Sequence, residues 1–179
     1  MSLNILIVEG NISEDSKIFI KAAGASASEN LKKLVLKFEP KATIKIVNPV
    51  KIQETNKALE NIKLYDGIIF TGGALRLNDM TNDIKSHISF ASKCFTHNKK
   101  ILAICWGLQV CSVAAGGQVA PGKRGAHIGI ASDVEVNGEG QKNLIYKNKK
   151  PIFTTPAFNF DEVVKIPEGA ILLSSDKIN

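Results

Sequence analysis

A cysteine lies at the boundary between a predicted strand and a predicted helix. The apolar run from Ile101 to Ile104 has the length of a buried strand, and after Cys105 the chain continues as a small apolar helix that ends at Gly116 and Gly117. A strand-to-helix corner holds its residue in a strained backbone conformation and directs the side chain out of the sheet. The helix N-terminus also favours the thiolate form of a cysteine, which is the nucleophile. The pattern therefore predicts a reactive Cys105.

Two neighbours of Cys105 favour this interpretation over an inert one. A free cysteine is often just a small buried hydrophobe. Gly107, however, permits a close approach of backbone at the turn. Gln109 is a polar residue at the start of an apolar helix, where it costs free energy unless it has a partner. We expect Gln109 to bind a ligand.

A glycine pair follows another predicted strand, Gly67 to Phe70. The segment Thr71-Gly72-Gly73-Ala74 offers unobstructed backbone amides. A developing oxyanion needs donors from two directions, and we expect one from Gly73 and one from Trp106, directly after the cysteine. An ordinary strand-to-loop turn is the alternative. Ligands of parallel sheets bind beyond the carboxyl ends of the strands, so both segments are expected to face one crevice.

The elements that position these residues alternate along the chain. Ser26 and Glu29 have the spacing of a capping box before the first predicted helix, and no helix is assigned to 13–23, where polar and apolar residues mix. Alternating strands and helices predict a mostly parallel sheet with helices on both faces. The remaining predicted strands are Leu3–Val8 and Thr43–Val47, and the predicted helices begin near Ser28, Ile52 and Asp79 and end near Phe38, Ile62 and Phe95.

Three segments, in this order, resemble class I glutamine amidotransferases of the GMP-synthase glutaminase type. Ala103-Ile-Cys105-Trp-Gly107-Leu-Gln109, with Ala115-Gly-Gly117, resembles the nucleophile elbow of that family. Upstream, Tyr65-Asp-Gly-Ile-Ile-Phe-Thr71-Gly-Gly73 resembles its oxyanion strand and loop. Downstream, Phe158-Asn-Phe-Asp161-Glu-Val-Val-Lys-Ile-Pro167-Glu-Gly resembles its His-x-Asp-x-Val segment and the Pro-x-x-Ala stretch that follows. The resemblance covers the chain from about residue 60 onward.

The resemblance implies a fold, a reaction and a set of site residues. The fold would be a single domain over 1–179, a three-layer α/β sandwich that is flavodoxin-like in its first half and has antiparallel strands in its C-terminal third. Cys105 would attack the side-chain amide of glutamine, or the carbonyl of a γ-glutamyl compound, and water would cleave the glutamyl thioester. Gly73 and Trp106 would hold the oxyanion, and no metal or organic cofactor is needed. The matched substrate-binding residues are Gln109, Asn159 and Phe160.

The sequence departs from the family pattern at its histidines. Asn159 replaces the histidine of the His-x-Asp-x-Val segment, and His127 stands where relatives often carry glutamate, as a residue of the substrate pocket. The family's catalytic His-Pro-Glu segment does not follow within the 179 residues. We expect the sequence to lack the C-terminal end of the domain; the alternative is a protein without a complete triad. His87 and His97 are expected to be surface residues.

Three functions are compatible with these residues. A stand-alone glutaminase would pass ammonia to a separate synthetase subunit, since we expect no synthetase domain to be fused to it. A γ-glutamyl hydrolase or peptidase would need no such partner. A catalytically silent binding or regulatory module would use the fold without the chemistry, and a thiol-alkylating glutamine analogue would leave its Cys105 unlabelled.

Composition excludes several other classes of protein. The net charge of +6 comes mostly from dispersed lysines, with the densest group at Lys142, Lys147, Lys149 and Lys150, and indicates a solvated face rather than a nucleic-acid site. Three cysteines without a Cys-x-x-Cys pair indicate neither a zinc site nor a disulfide framework. The first apolar run is too short for a membrane span and lacks the basic flank of a signal peptide. We expect a cytoplasmic protein.

Overall fold

The computed structural model describes residues 2–123 and 125–176, which divide into two compact units, Met1–Ala115 and Gly116–Asn179. In the first unit, strands and helices alternate along most of the chain. Its strands are β1 (Asn4–Val8), β2 (Thr43–Val47), β3 (Gly67–Phe70) and β4 (Lys100–Ala103). Its helices are α1 (Ser13–Ala23), α2 (Ala27–Phe38), α3 (Ile52–Glu60), α4 (Asn82–Phe95) and α5 (Trp106–Ala114), with short 3-10 turns at Ile62–Leu64 and Leu77–Asp79.

The strands of the first unit form a parallel sheet. Their order is β2-β1-β3-β4, so the chain leaves β1 toward one edge and then returns past it to the other edge. Right-handed crossovers therefore place α2 on one face of the sheet and α3 and α4 on the opposite face. The predicted α/β fold, a mainly parallel sheet with helices on both faces, is confirmed.

The core of the first unit is the apolar surface of the central strands and the helices that cover it. Leu6, Ile7 and Val8 of β1 are at most 1% exposed, as expected for a strand buried on both faces. The ring of Phe70, at the end of β3, lies 6.2 Å from the ring of Phe90 in α4. The end of β3 is therefore packed against α4.

Local sequence patterns predicted some helix boundaries correctly and failed to predict others. Ser26 Oγ accepts a hydrogen bond from the Glu29 amide at 3.2 Å, which confirms the predicted cap of α2. The segment 13–23, left without a helix in the prediction, forms α1; none of its residues is buried, so its apolar pattern could not reveal it. Helix α4 begins at Asn82 rather than near Asp79, because Thr81 caps it and Met80 has a φ of 44°.

The second unit is antiparallel. Its elements are β5 (Gln118–Pro121), β6 (His127–Val136), the short helix α6 (Gly138–Lys142), a 3-10 turn at Leu144–Tyr146, β7 (Ile152–Asn159), β8 (Asp161–Lys165) and β9 (Ser174–Ser175). Strand β5 pairs with β8, while β6 lies between β7 and β9. This confirms the predicted antiparallel strands in the C-terminal third.

The dipeptide Asn137-Gly138 is a sequence signal that predicts a hairpin turn, and this prediction is wrong. Asn137 Oδ1 instead accepts from the Gly140 amide at 2.9 Å and caps α6. Asn137 is held there by distant chain, since its amide donates to Leu173 O at 3.0 Å and its side chain donates to Leu172 O at 2.6 Å. Hydrogen bonds to residues about 35 positions away in the sequence therefore determine the conformation of Asn137.

Candidate active site

The register of the parallel sheet brings three chain segments to one edge. Val8 is the register partner of Phe70, and Phe70 is the register partner of Ala103, so β1, β3 and β4 end at the same level. The segments that follow are 9–11, 71–74 and 104–107. Because ligands of open α/β sheets bind beyond the carboxyl ends of the strands, this edge is the candidate active site.

Cys105 occupies a strained corner between β4 and α5. Its φ is 52° and its ψ is −111°, a combination that L-residues rarely adopt, and its side chain is exposed. The amide of Ile104 donates to Phe70 O at 3.0 Å, which extends β4 up to the corner. The amide of Gln109 then donates to Cys105 O at 3.1 Å, which starts the helix. The backbone changes from strand to helix at the cysteine itself.

Gly107 is required because α5 lies directly against the end of β3. A Cβ placed on Gly107 would lie 2.6 Å from Phe70 Cβ and 2.7 Å from Phe70 O. The Gly107 amide also donates to Thr71 O at 3.1 Å, so the first turn of the helix is hydrogen-bonded to the segment that follows β3. The contact fixes the elbow relative to the glycine pair.

The glycine pair lies beside the elbow. A Cβ on Gly72 would lie 3.6 Å from Cys105 Cβ, and a Cβ on Gly73 would lie 3.1 Å from Trp106 Cδ1. Gly73 has no room for a side chain, because its Cβ would also lie 2.6 Å from Gly10 O. The structure thus brings Gly73, Cys105 and Trp106, three of the predicted site residues, into one group.

The segment after β1 supports the glycine pair through buried polar groups that the sequence analysis treated only as a turn. The Gly10 amide donates to Thr71 Oγ1 at 2.8 Å, and the Ala74 amide donates to Asn11 Oδ1 at 2.8 Å. The side chain of Asn11 is 2% exposed. A polar residue in the short turn after a buried strand was the available signal for such a role.

Glu9 ties the same segment to α2. The residue is 5% exposed. Its carboxylate accepts hydrogen bonds from the backbone amide of Asn11 at 3.1 Å and from the amide and hydroxyl of Ser28 at 3.1 and 2.6 Å. Ser28 is in the first turn of α2, where the helix dipole favours a negative charge. These hydrogen bonds satisfy the buried carboxylate and fix the segment 9–11.

His87 is buried, and its predicted surface position is wrong. The residue is 1% exposed, and its ring packs edge-on against the indole of Trp106 with centroids 5.9 Å apart. Burial lowers the pKa of His87 to about 4, although Asp83 and Glu9 act in the opposite direction. The helical face of α4 alone could not reveal this contact, because the partner lies on α5. His87 is a neutral packing residue of the elbow at neutral pH.

The three cysteines differ in their access to a substrate. Cys94 and Cys111 are buried and Cys105 is exposed. Burial raises the pKa of both buried thiols to about 12, and Cys111 adds to the effect at Cys94. A buried protonated thiol is a poor nucleophile. Cys105 is therefore the thiol that is placed to react.

The family assignment rests on a match over most of the chain. The model of the family described as Glutamine amidotransferase class-I matches residues 20–177, which include the elbow, the glycine pair and the downstream segment. The chain belongs to the class I glutamine amidotransferase family. A glutamine amidotransferase from Thermotoga maritima shares the fold, with a TM-score of 0.74 and 14% identity; the match covers 99% of this chain and 69% of that one.

The chain is similar to proteins that are named for different reactions. The chain is 28% identical to a gamma-glutamyl-L-1-hydroxyisopropylamide hydrolase from Pseudomonas sp., over 98% of this chain and 60% of the relative. It is 32% identical to a glutamine-hydrolyzing GMP synthase subunit from Methanosarcina acetivorans, over 63% of this chain and 53% of the relative. The chain thus spans less than two thirds of the length of either relative.

The predicted substrate-binding residues of this amidotransferase chain lie in different units. Gln109 is half-buried in the first turn of α5, in the first unit with Cys105. Asn159 ends β7 in the second unit, and Phe160 follows it, 47% exposed, with its carbonyl accepting from the Gly122 amide at 3.2 Å. Asn159 is the register partner of His127, so the two side chains share one face of the sheet.

Two further findings concern the residues that the structure describes. Within 2–123 and 125–176, no group of three or more His, Cys, Asp or Glu side chains is arranged to hold a metal ion. In the same ranges, no helix has both the length and the apolar character needed to cross a bilayer.

Proposed function

We propose that this chain catalyses acyl transfer from a γ-glutamyl compound, with Cys105 as the nucleophile. The thiolate of Cys105 attacks the γ-carbonyl carbon and forms a tetrahedral oxyanion. The C–N bond then breaks, and the nitrogen takes up a proton from solvent water and leaves as ammonia or an amine. Water attacks the resulting glutamyl thioester, the C–S bond breaks, and glutamate and the free thiol are released. This chemistry needs no metal and no organic cofactor.

The geometry at Cys105 is the observation that carries the proposal. The thiol is exposed at a left-handed corner, at the N-terminus of α5, with the Gly72-Gly73 segment beside it. The first amides of a helix have no acceptor within the helix and are available to an anion. We assign the oxyanion to the amides of Trp106 and Gly73, which belong to the two segments that meet at the corner.

Three residues are assigned to the amino-acid end of the substrate by their place in the family motifs. They are Gln109, Asn159 and Phe160. A side-chain amide can donate to the α-carboxylate and accept from the α-ammonium group, so one Asn or Gln can contact both charges of an amino acid. By its place in the same motif, Phe160 is assigned a contact with the methylene groups of the substrate.

Release of an amine is the leaving-group chemistry that the similarities favour. The γ-glutamyl amide hydrolase is similar along 98% of this chain, through the elbow, the glycine pair and the downstream segment. Release of ammonia to a separate synthetase subunit is the second candidate. It is favoured by the similarity to the glutamine-hydrolyzing GMP synthase subunit, which covers 63% of this chain.

A substrate comparison with purified protein tests the proposal. We expect γ-glutamyl alkylamides to be cleaved without any partner and Cys105→Ala to abolish the reaction. A thioester on Cys105, detected by intact-protein mass spectrometry after acid quench, would identify the intermediate. Cys111→Ala is the matched control because it removes a thiol that is buried. Protein that is folded but forms no thioester with any γ-glutamyl compound would refute the proposal.

The two candidate functions and the silent module give different results in this comparison. Amide cleavage without a partner, with glutamine a poor substrate, indicates the hydrolase. Glutamine cleavage that rises when a synthetase subunit is added indicates the ammonia-delivering protein. A chain that neither cleaves substrate nor reacts at Cys105 with a thiol-alkylating glutamine analogue is the silent module.

A further inference from the structure

The hydroxyl of Thr71 is hydrogen-bonded on both sides within the glycine segment. Thr71 is 3% exposed, and its Oγ1 accepts from the Gly10 amide at 2.8 Å while donating to Gly72 O at 3.0 Å. The hydroxyl therefore uses its donor hydrogen and one of its two acceptor lone pairs. The Gly72 carbonyl is held on the Gly10 side, since a Cβ on Gly10 would lie 2.5 Å from Gly72 O.

The position of the Gly72 carbonyl determines the direction of the Gly73 amide. In a trans peptide the C=O and N–H bonds lie in one plane and point in opposite directions. With Gly72 O directed toward Gly10 and Thr71, the Gly73 N–H is directed away from them. A rotation of this peptide plane would turn the N–H inward, and glycine on both sides of the bond opposes such a rotation only weakly.

The next peptide of the segment is held in a similar way from the loop after β1. The Ala74 amide donates to Asn11 Oδ1 at 2.8 Å, and Asn11 O accepts from Asn48 Nδ2 at 2.8 Å. Thr71 and Asn11 thus fix the peptides on either side of Gly73. Neither side chain is exposed, so neither is placed to contact substrate.

We propose that Thr71 and Asn11 are positioning residues that hold the Gly72–Gly73 peptide with its N–H available to the oxyanion. The inference rests on the proposed function, because the oxyanion belongs to that reaction. Thr71 has the larger role, since its hydroxyl bonds the carbonyl of the oxyanion peptide itself. Asn11 limits the motion of the segment from its other end.

Acylation by an activated ester isolates this role from proton transfer. The substrate is the 4-nitrophenyl ester of the γ-carboxyl of glutamate, whose leaving group departs without a proton, and the burst of nitrophenolate reports acylation of Cys105. We expect Thr71→Val to slow the burst about ten- to hundredfold with little change in the concentration for half-saturation. Thr71→Ser, which keeps the hydroxyl, is expected to restore the rate to within about threefold of the wild type.

Two controls separate positioning from a general loss of structure. Thr55→Val removes another buried threonine hydroxyl, one that donates to Ile52 O in α3 at 2.8 Å, and is expected to leave the burst unchanged. Alkylation of Cys105 by iodoacetamide forms no oxyanion, so Thr71→Val is expected to leave its rate unchanged. Asn11→Ala is the second test variant, and we expect it to slow the burst less than Thr71→Val does. It also serves as the test if Thr71→Val does not fold.

The cross-peak of the Gly73 amide in a ¹⁵N correlation spectrum tests the inference without any catalysis. We expect Thr71→Val to shift or broaden this peak and Thr71→Ser to leave it in place. If the wild type is alkylated but never acylated, the proposed function fails and this spectrum still decides the inference. An unchanged Gly73 peak in Thr71→Val, or a burst slowed equally by Thr71→Val, Thr71→Ser and Thr55→Val, would overturn it.

Discussion

Replacing His87 with phenylalanine should remove a large part of the acid sensitivity of the first unit. His87 is buried against Trp106, and its Nε2 has no hydrogen-bond partner among the described residues, so protonation would place an unsolvated charge in the core. Phenylalanine keeps a planar ring at this position and cannot be protonated. The prediction concerns the pH dependence of stability rather than the stability at any one pH.

The sign and size of the effect follow from the lowered pKa of His87. The value falls from 6.5 to about 4 in the folded protein, so the unfolded chain binds the proton more tightly. The contribution of neutral, buried His87 to the free energy of unfolding is therefore present above pH 6.5 and is lost as the pH falls from 6.5 to about 4. Because a tenfold change in proton affinity corresponds to about 1.4 kcal/mol, the loss due to His87 is about 3 kcal/mol over this range.

The fluorescence of Trp106 provides the assay, because it is the only tryptophan of the chain and lies against His87. Urea unfolding is followed at a series of pH values for the wild type and for His87→Phe, and the free energy of unfolding of each protein is plotted against pH. The difference between the two plots isolates the effect of the residue at position 87. His97→Phe is the control, since His97 is exposed. Parallel curves for the wild type and His87→Phe between pH 6.5 and about 4 would refute the reasoning.

Three further predictions concern the corner and its supports. Cys105→Gly should be more stable than Cys105→Ala by about 1 kcal/mol in urea unfolding, because glycine tolerates the φ of 52°; equal stabilities would contradict the proposed strain. Gly107→Ala should cost about 3 kcal/mol because its methyl would meet Phe70, whereas Gly138→Ala, with open space around it, should cost nothing measurable by the same method. Glu9→Gln should lower the free energy of unfolding by about 2 kcal/mol, since a side-chain amide cannot accept all three hydrogen bonds. An unchanged midpoint of urea unfolding would count against the buried network.

The parts of the site that follow from short-range patterns were predictable. An apolar run, then Cys105 and Gly107, then a small apolar helix defines a strand-to-helix corner within ten residues, and the structure has that corner with the predicted cysteine at it. The cap of α2 by Ser26 is equally local. The sharing of one edge by the cysteine and the glycine pair also followed, because parallel strands point the same way.

The surroundings of the corner could not be predicted in the same way. The spacing of apolar residues in α4 does not indicate which helix its buried face will contact, so the packing of His87 on Trp106 was missed. Asn137-Gly138 satisfied a local rule for a hairpin turn, yet hydrogen bonds to Leu172 and Leu173 made Asn137 a helix cap. Both errors come from partners that are distant in sequence.

The sequence by itself determined the alternation of strands and helices in the first unit apart from α1, the family, and the cysteine on which the proposed chemistry depends, because each of these is encoded in short stretches of the chain. The tertiary structure alone decided how that cysteine is supported. Thr71 and Asn11 acquire their contacts with each other's segments only when β1 and β3 lie side by side and end at the same level. Glu9 acquires its contacts with Ser28 only when α2 packs beside the end of β1. Polar side chains become specific supports when burial removes water as a competing partner, and burial is a property of the folded chain.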